Sequence, residues 1–281
     1  MKILVTGVKG QLGFDVVREL RERKIPCAGV DRDDFDITLK DACTAYIENY
    51  LPDAVIHCAA YTAVDKAEED EALCRKINAD GTENIAFACE KIGAKMIYIS
   101  TDYVFGGEGD NFFEPNDRKN PQNVYGRTKL LGENKVSEIC KKHFIVRTSW
   151  VFGINGGNFV KTMLRLGKEK DELSVVCDQI GSPTYTFDLS KLLCDMVMTE
   201  KYGVYHATNE NICSWADFAR EIMALAGLKT KINDILSRDY NAKALRPSNS
   251  RLSKKCLDTA GFSRLPSWQD ALKRYMAQLE S

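Results

Sequence analysis

The sequence predicts an α/β fold: a doubly wound parallel sheet with a smaller mixed α/β lobe. Three observations predict it. Short apolar, β-branched runs alternate with amphipathic stretches from the first residues onward. The runs lack polar alternation, as strands do when helices cover both faces of a parallel sheet. Repeated strand–helix units imply right-handed crossovers.

The elements follow in order. Lys2–Thr6 (KILVT) reads as a strand and Gln11–Arg23 as a helix. Cys27–Asp31 is the next strand, followed by a helical stretch near Leu39–Tyr50. Ala54–Cys58 is the third strand, with helices through Asp65–Ile92. Met96–Thr101 is the fourth, and a helix starting near Tyr125 leads to Phe144–Thr148. Beyond Phe152 the rhythm loosens: NFVKTMLRLGKE and SWADFAREIMALAG are helical, with few strands between them. The expected division is a dinucleotide-binding unit of residues 1–155 and 185–208. Residues 156–184 and 209–281 would form the substrate lobe.

Composition narrows the function classes. A chain of 281 residues accommodates one large domain or two small ones. Its net charge of −1 gives no global attraction to nucleic acid or to a membrane. Lys229–Ser281 holds 11 Lys/Arg against 5 Asp/Glu, which suits an anionic small molecule or a solvated surface. None of the 10 cysteines forms a C-x-x-C pair, and Cys58 and Cys89 sit in apolar runs, so they read as buried reduced thiols. The three histidines, His57, His143 and His206, are too dispersed for a metal site, and no metal is predicted. KILVTG follows Met1 at once, leaving no leader, and no apolar run reaches the ~18–20 residues of a membrane span. The expected location is the cytoplasm.

VTGVKGQLG joins the first strand to the first helix. Gly7, Gly10 and Gly13 form G-x-x-G-x-x-G, with Gln11 and Leu12 at the helix start. Glycines permit a tight turn and let backbone N–H groups approach a pyrophosphate, which then faces the positive end of the helix. Strand, loop and helix in this order are the setting of a Rossmann-type dinucleotide site; the three-and-three glycine spacing resembles that of the short-chain dehydrogenase/reductases, which implies a nicotinamide dinucleotide. Asp31 ends the second strand, 24 residues after Gly7, where a carboxylate accepts from ribose hydroxyls. Arg32 and Lys9 are placed to meet a 2′-phosphate, so NADH and NADPH both stay open. Asp36 and Ile37 border the adenine or form a surface turn.

Tyr125 and Lys129, in YGRTK, share one helix face at i and i+4. Beside a nicotinamide they read as a catalytic pair. An adjacent ammonium is expected to lower the phenol's pKa from its usual value of about 10. Thr101, at the end of the fourth strand, completes the set by orienting the reacting carbonyl, with Ser100 as its alternative. In the reductive direction Tyr125 is the general acid.

At this point a resemblance emerges. HCAAYTAVDKAE, STDYVFGG, YGRTK, RTSWVFG, DQIGSPT and RPSNSRL occur in that order over nearly the whole chain. Together they resemble the dTDP-4-dehydrorhamnose reductases, an extended short-chain dehydrogenase family. The resemblance implies NAD(P)H-dependent reduction of the C4 keto group of dTDP-4-dehydro-L-rhamnose, the last step of dTDP-rhamnose synthesis, which feeds cell-wall polysaccharide. It puts Thr101, Tyr125 and Lys129 on catalytic positions and Cys58, Ala59, Ala60 and Tyr61 beside the cofactor. It sets Trp150 against the sugar, where an indole offers apolar area to a methyl group. Tyr103, Val104 and Phe105 would shape the same pocket. Arg246 would meet the diphosphate, or serve a surface salt bridge.

Two departures stand out. The family usually reads VFDG where this chain has Phe105–Gly106–Gly107, which is expected to loosen that loop. Some members dimerise around Mg²⁺ held by glutamates. Asp15 and Asp188 occupy those positions here, which points to a monomer rather than a homodimer. The rival readings are another nucleotide-sugar reductase or epimerase, and a non-catalytic subunit of the methionine adenosyltransferase type.

Overall fold

The computed structural model describes residues 1–280. The first half runs β1 (Ile3–Thr6), α1 (Gln11–Glu22), β2 (Cys27–Val30), α2 (Lys40–Tyr50), β3 (Ala54–His57), α3 (Val64–Ala67), α4 (Glu71–Arg75), α5 (Thr82–Ile92), β4 (Lys95–Thr101), α6 (Val124–Ile139) and β5 (His143–Thr148). The second half runs β6 (Val151–Phe152), α7 (Phe159–Glu169), β7 (Glu172–Val176), β8 (Ile180–Gly181), β9 (Thr184–Tyr185), α8 (Thr186–Val197), β10 (Gly203–His206), β11 (Cys213–Ser214), α9 (Trp215–Leu225), β12 (Lys231–Ile235), β13 (Asn249–Ser250), α10 (Lys255–Ala260) and α11 (Trp268–Glu280).

Six strands form one sheet in the order β10-β5-β4-β3-β1-β2, every pair parallel. Alternate residues of each strand feed opposite faces. Ile3, Val5, Ile56, Ile97 and Phe144 pack against Leu12, Val16 and Leu20 of α1 and Leu189 and Leu193 of α8. Leu4, Val55, Met96, Tyr98 and Ile145 meet Ile47 of α2, Ile85 and Cys89 of α5 and Val136 of α6. Both faces are therefore covered, which is why the strands carry no polar alternation. The chain leaves β1 in one direction for β2 and returns on the other side for β3. That reversal opens a crevice above the carboxyl ends of the strands.

The helices expected over Asp65–Ile92 are α3, α4 and α5. Between α4 and α5 the chain makes a π turn, Lys76–Gly81, and buries Asn78 completely. Beyond β5, α7, α9 and α11 gather around Phe152, Tyr185, Phe218, Trp268 and Tyr275. Short strands serve this part in small sets: β11-β8-β13, β12 with β7, and β6 with β9. No helix among the described residues is long and apolar enough to cross a membrane.

Candidate active site

The crevice above the sheet is a cavity of about 950 Å³. One end is made of backbone. Gly7 has φ +71°, and a Cβ on it would lie 2.6 Å from the Ala59 amide nitrogen. A Cβ on Gly13 would lie 2.4 Å from the Gly7 carbonyl oxygen. The loop after β1 thus touches both the loop after β3 and the first turn of α1, with no room for side chains. Gly10 caps α1 without a side chain, so the helix's first N–H groups receive no side-chain cap. This cradle fits a dinucleotide pyrophosphate. His57 braces it from below: its Nδ1 lies 2.8 Å from Thr6 Oγ1, which accepts from the Ala59 N–H at 3.3 Å. Burial holds the His57 imidazole neutral, with its pKa down to about 3.

The adenosine side is polar. Asp31 accepts from the Lys9 N–H at 2.9 Å, tying the β2 end to the glycine loop, and its other oxygen accepts from the Arg32 N–H. The Lys9 ammonium pairs with Asp33. Arg32, Asp36 and Ile37 line this end with Asp31.

Tyr125 and Lys129 face the middle of the cavity from successive turns of α6. Two contacts fix the start of that helix: the Asn123 side chain accepts from the Gly126 N–H at 2.8 Å, and Glu68 accepts from the Val124 N–H at 2.7 Å. The Thr101 side chain, beside Tyr125, also favours its phenolate form. Even so, burial outweighs it and raises the Tyr125 pKa above its ordinary value. The expectation of a lowered pKa is therefore corrected. Taking the phenolate out of water costs more here than the Thr101 hydroxyl restores. Lys129 feels the same burial. It is 2% exposed, its ammonium sits 4.0 Å over the Tyr98 ring, and its pKa falls to about 7. Glu133, the next residue on this face, opposes that fall. Its carboxylate is clamped by Arg147 at 2.8 and 2.7 Å and accepts from Ser100 Oγ. Ser100 thus has its proton committed to Glu133, so Thr101 is the better-placed hydroxyl. Thr101 itself donates to Asp102 Oδ1 at 3.0 Å. Asp102 also accepts from Ser250 of β13, and burial raises its pKa to about 6.

The far end is aromatic. Trp150, Phe152, Phe159, Trp215 and Phe218 line it. Most of the expected residues converge on this one cavity: Gly7, Gly10, Gln11, Leu12, Gly13, Asp31, Arg32, Asp36, Ile37, Cys58, Ala59, Ala60, Tyr61, Thr101, Tyr103, Tyr125, Lys129 and Trp150. Three do not. Val104 and Phe105 are fully buried with Leu252 and pack against Phe113, because a 3₁₀ turn over Asp102–Val104 carries them into a small core. Their expected role in shaping the pocket is corrected. Arg246 is held by Asp65 in a two-pronged pair at 3.0 and 2.6 Å, off the cavity wall. Of the two roles expected for Arg246, the salt bridge is the one present here.

Two supporting groups escaped the sequence reading. Asn78 accepts from the Tyr61 N–H at 2.8 Å and donates to Thr128 Oγ1 at 3.2 Å, tying the loop after β3 to α6. Asn155 donates to the Lys9 carbonyl at 2.7 Å, tying the glycine loop to the segment after β6. Asp15 and Asp188 have partners of their own. Asp15 accepts from Thr186 and pairs with Arg18, and Asp188 pairs with Arg274.

A doubly wound sheet, a glycine cradle at the switch point and a Thr–Tyr–Lys set in the same cavity define a dinucleotide-dependent short-chain dehydrogenase. The chain belongs to the family described as "RmlD substrate binding domain", whose model matches residues 1–281. It is 39% identical to a spore coat polysaccharide biosynthesis protein, SpsK, of Bacillus subtilis, covering 100% of this chain and 98% of that one. The crystal structure of a dTDP-4-dehydrorhamnose reductase from Clostridium acetobutylicum superposes with a TM-score of 0.98 at 43% identity, covering 100% of both chains. That of the dTDP-4-dehydrorhamnose reductase from Bacillus anthracis, in complex with NADP, gives 0.96 at 42% identity, covering 99% of this chain and 100% of that one.

Proposed function

We propose that this protein is a dTDP-4-dehydrorhamnose reductase: it reduces the C4 keto group of dTDP-4-dehydro-L-rhamnose with NADPH or NADH. One observation carries the reading. Thr101, Tyr125 and Lys129 meet the glycine cradle in a single cavity, in a chain 42% identical throughout to a reductase crystallised with NADP.

Gly7, Gly10 and Gly13 would hold the pyrophosphate, Asp31 and Arg32 the adenosine end, and Lys129 the nicotinamide ribose. A bound nicotinamide supplies the hydride. The raised pKa of Tyr125 suits the reductive direction. At neutral pH the phenol keeps its proton and releases it only as charge builds on the sugar oxygen. Thr101 turns its hydroxyl from Asp102 to that oxygen and orients it. The Lys129 ammonium, poised near neutrality, stabilises the phenolate left behind. Asp31 is compatible with the ribose of NADH and Arg32 with a 2′-phosphate, so both dinucleotides are expected to serve. A cytoplasmic location is part of this proposal.

The test is direct. Purified protein with dTDP-4-dehydrorhamnose is expected to consume NADPH and NADH, followed by nicotinamide absorbance. Tyr125→Phe is expected to lower kcat by about 10²–10⁴-fold, the usual weight of a general acid, with dinucleotide affinity retained. A wild-type protein that binds NADPH but never oxidises it would favour the regulatory-subunit reading instead.

A further inference from the structure

We propose that Trp215 is a positioning residue for the sugar: stacked on Trp150, it fixes that indole as the apolar wall of the substrate end. This inference rests on the reductase reading and names what selects the sugar's face.

Trp150 occupies an unusual place. Its φ is +50°, a left-handed conformation that bulky residues avoid unless their surroundings impose it. Two contacts do so. On one side the indole lies against the backbone of β8: a Cβ on Gly181 would sit 2.9 Å from the Trp150 Cε2 atom. Trp215 stacks on Trp150 with ring centroids 3.8 Å apart and planes 13° from parallel. Trp215 is itself well anchored. It opens α9, whose first turn is closed by Ser214 and Asp217 in a reciprocal cap: Asp217 N–H to Ser214 Oγ at 3.0 Å, Ser214 N–H to Asp217 Oδ2 at 3.1 Å. Phe159 of α7 packs its ring 4.6 Å from Trp215. Both indoles line the cavity, and Trp150 stands two residues beyond Thr148, the residue paired across the sheet with Thr101. The wall therefore stands next to the reacting carbonyl.

The chemistry suits a deoxysugar. A flat indole offers apolar area to a methyl group or to the C–H face of a pyranose, and a fixed ring loses no freedom when the sugar binds. Without Trp215, Trp150 loses one of the two surfaces that hold it, and the sugar is bound less well. Dinucleotide binding, at the other end, is untouched.

The experiment compares wild type with Trp215→Leu, which fills volume without a stacking face, and Trp215→Phe, which keeps one. For Trp215→Leu the KM for dTDP-4-dehydrorhamnose is expected to rise at least tenfold. Its kcat should stay within threefold of wild type and its NADPH affinity within twofold. Trp215→Phe is expected to restore KM to within threefold. A second readout needs no substrate: two stacked indoles couple their transitions and give an exciton couplet in far-ultraviolet circular dichroism. The couplet is expected in wild type and absent in both variants and in Trp150→Phe. A Trp215→Leu KM within twofold of wild type, a fall confined to kcat, or a wild type without the couplet would each overturn the inference. A wild type that turns over no dTDP-4-dehydrorhamnose would overturn the reductase reading and this inference with it. Turnover with an unaltered variant KM would overturn this inference alone.

Discussion

The two ends of the cavity are built by different means. The cofactor end is backbone: Gly7 and Gly13 approach Ala59 and each other so closely that no side chain fits. The sugar end is side chain: Trp150, Phe159 of α7, and Trp215 and Phe218 of α9 meet from three separate segments. Backbone construction suits a ligand part that every turnover shares, because amide groups at a helix start recognise any pyrophosphate. Side-chain construction suits the part that differs among substrates, because rings can be exchanged without rebuilding the fold. The lesson is that tolerance to change should grow from the first end to the second.

The sharpest way to break this comparison is Gly7→Ala. Its φ of +71° strains any Cβ, and the added methyl would meet the Ala59 amide at 2.6 Å. Strain at such a position alone costs about 1–3 kcal/mol, and the clash adds to it. NADPH affinity is expected to fall by about 100-fold or more, read by calorimetric titration, with a lower melting temperature. A variant that bound NADPH within threefold of wild type would show that the cradle is less rigid than its spacing implies.

Acid should also strike the cofactor end. His57 braces the loop after β1, and burial lowers its pKa from 6.5 to about 3. His206, against Arg147 under the same sheet, is likewise lowered to about 3. The unfolded chain therefore binds more protons than the folded one between about 3 and 6.5. Stability is full above that window and is lost as pH falls through it, by about 1.4 kcal/mol per pH unit for each histidine. Asp102 acts the other way. Its pKa is raised from 3.8 to about 6, so its contribution grows as pH falls across that range. Denaturant unfolding of wild type and His57→Asn at several pH values separates the two: the variant is expected to show the shallower acid loss. Parallel curves would remove His57 from the balance.

The same contrast explains what was legible in the sequence. The glycine loop, the Tyr125–Lys129 pair and the buried strands could be read because each is contiguous, and its geometry follows from local spacing. The Trp150–Trp215 stack could not, since it joins residues 65 positions apart and Trp215 reads only as the start of an amphipathic helix. Asn78 was hidden by the π turn, which breaks the period that placed its neighbours. Val104 and Phe105 are apolar residues beside a site. Only the 3₁₀ turn decides that they face the core. Tyr125 shows a subtler limit. Sequence gives its neighbour in charge, Lys129, but not its burial, and burial dominates.

The smallest effect tests a loop near neither end. The family resemblance puts an aspartate at the position of Gly106, and its absence is expected to loosen the segment. The structure gives the loop other supports. A Cβ on the adjacent Gly107 would lie 2.4 Å from Pro247, and the Gly107 carbonyl accepts from Ser248 Oγ at 2.8 Å and from the Asn249 N–H at 2.9 Å. Gly106 itself has room: a Cβ there would sit 3.4 Å from Asn120 Nδ2, and its φ lies outside the left-handed range. Gly106→Asp would let the new carboxylate accept from Asn120 and would restrict the unfolded chain. A gain of about 0.5 kcal/mol is expected, or about 1–2 °C in melting temperature, with kcat and KM within twofold. A marked change in the sugar's KM would mean that this loop reaches the substrate after all, and the aromatic wall would no longer be the whole of the sugar end.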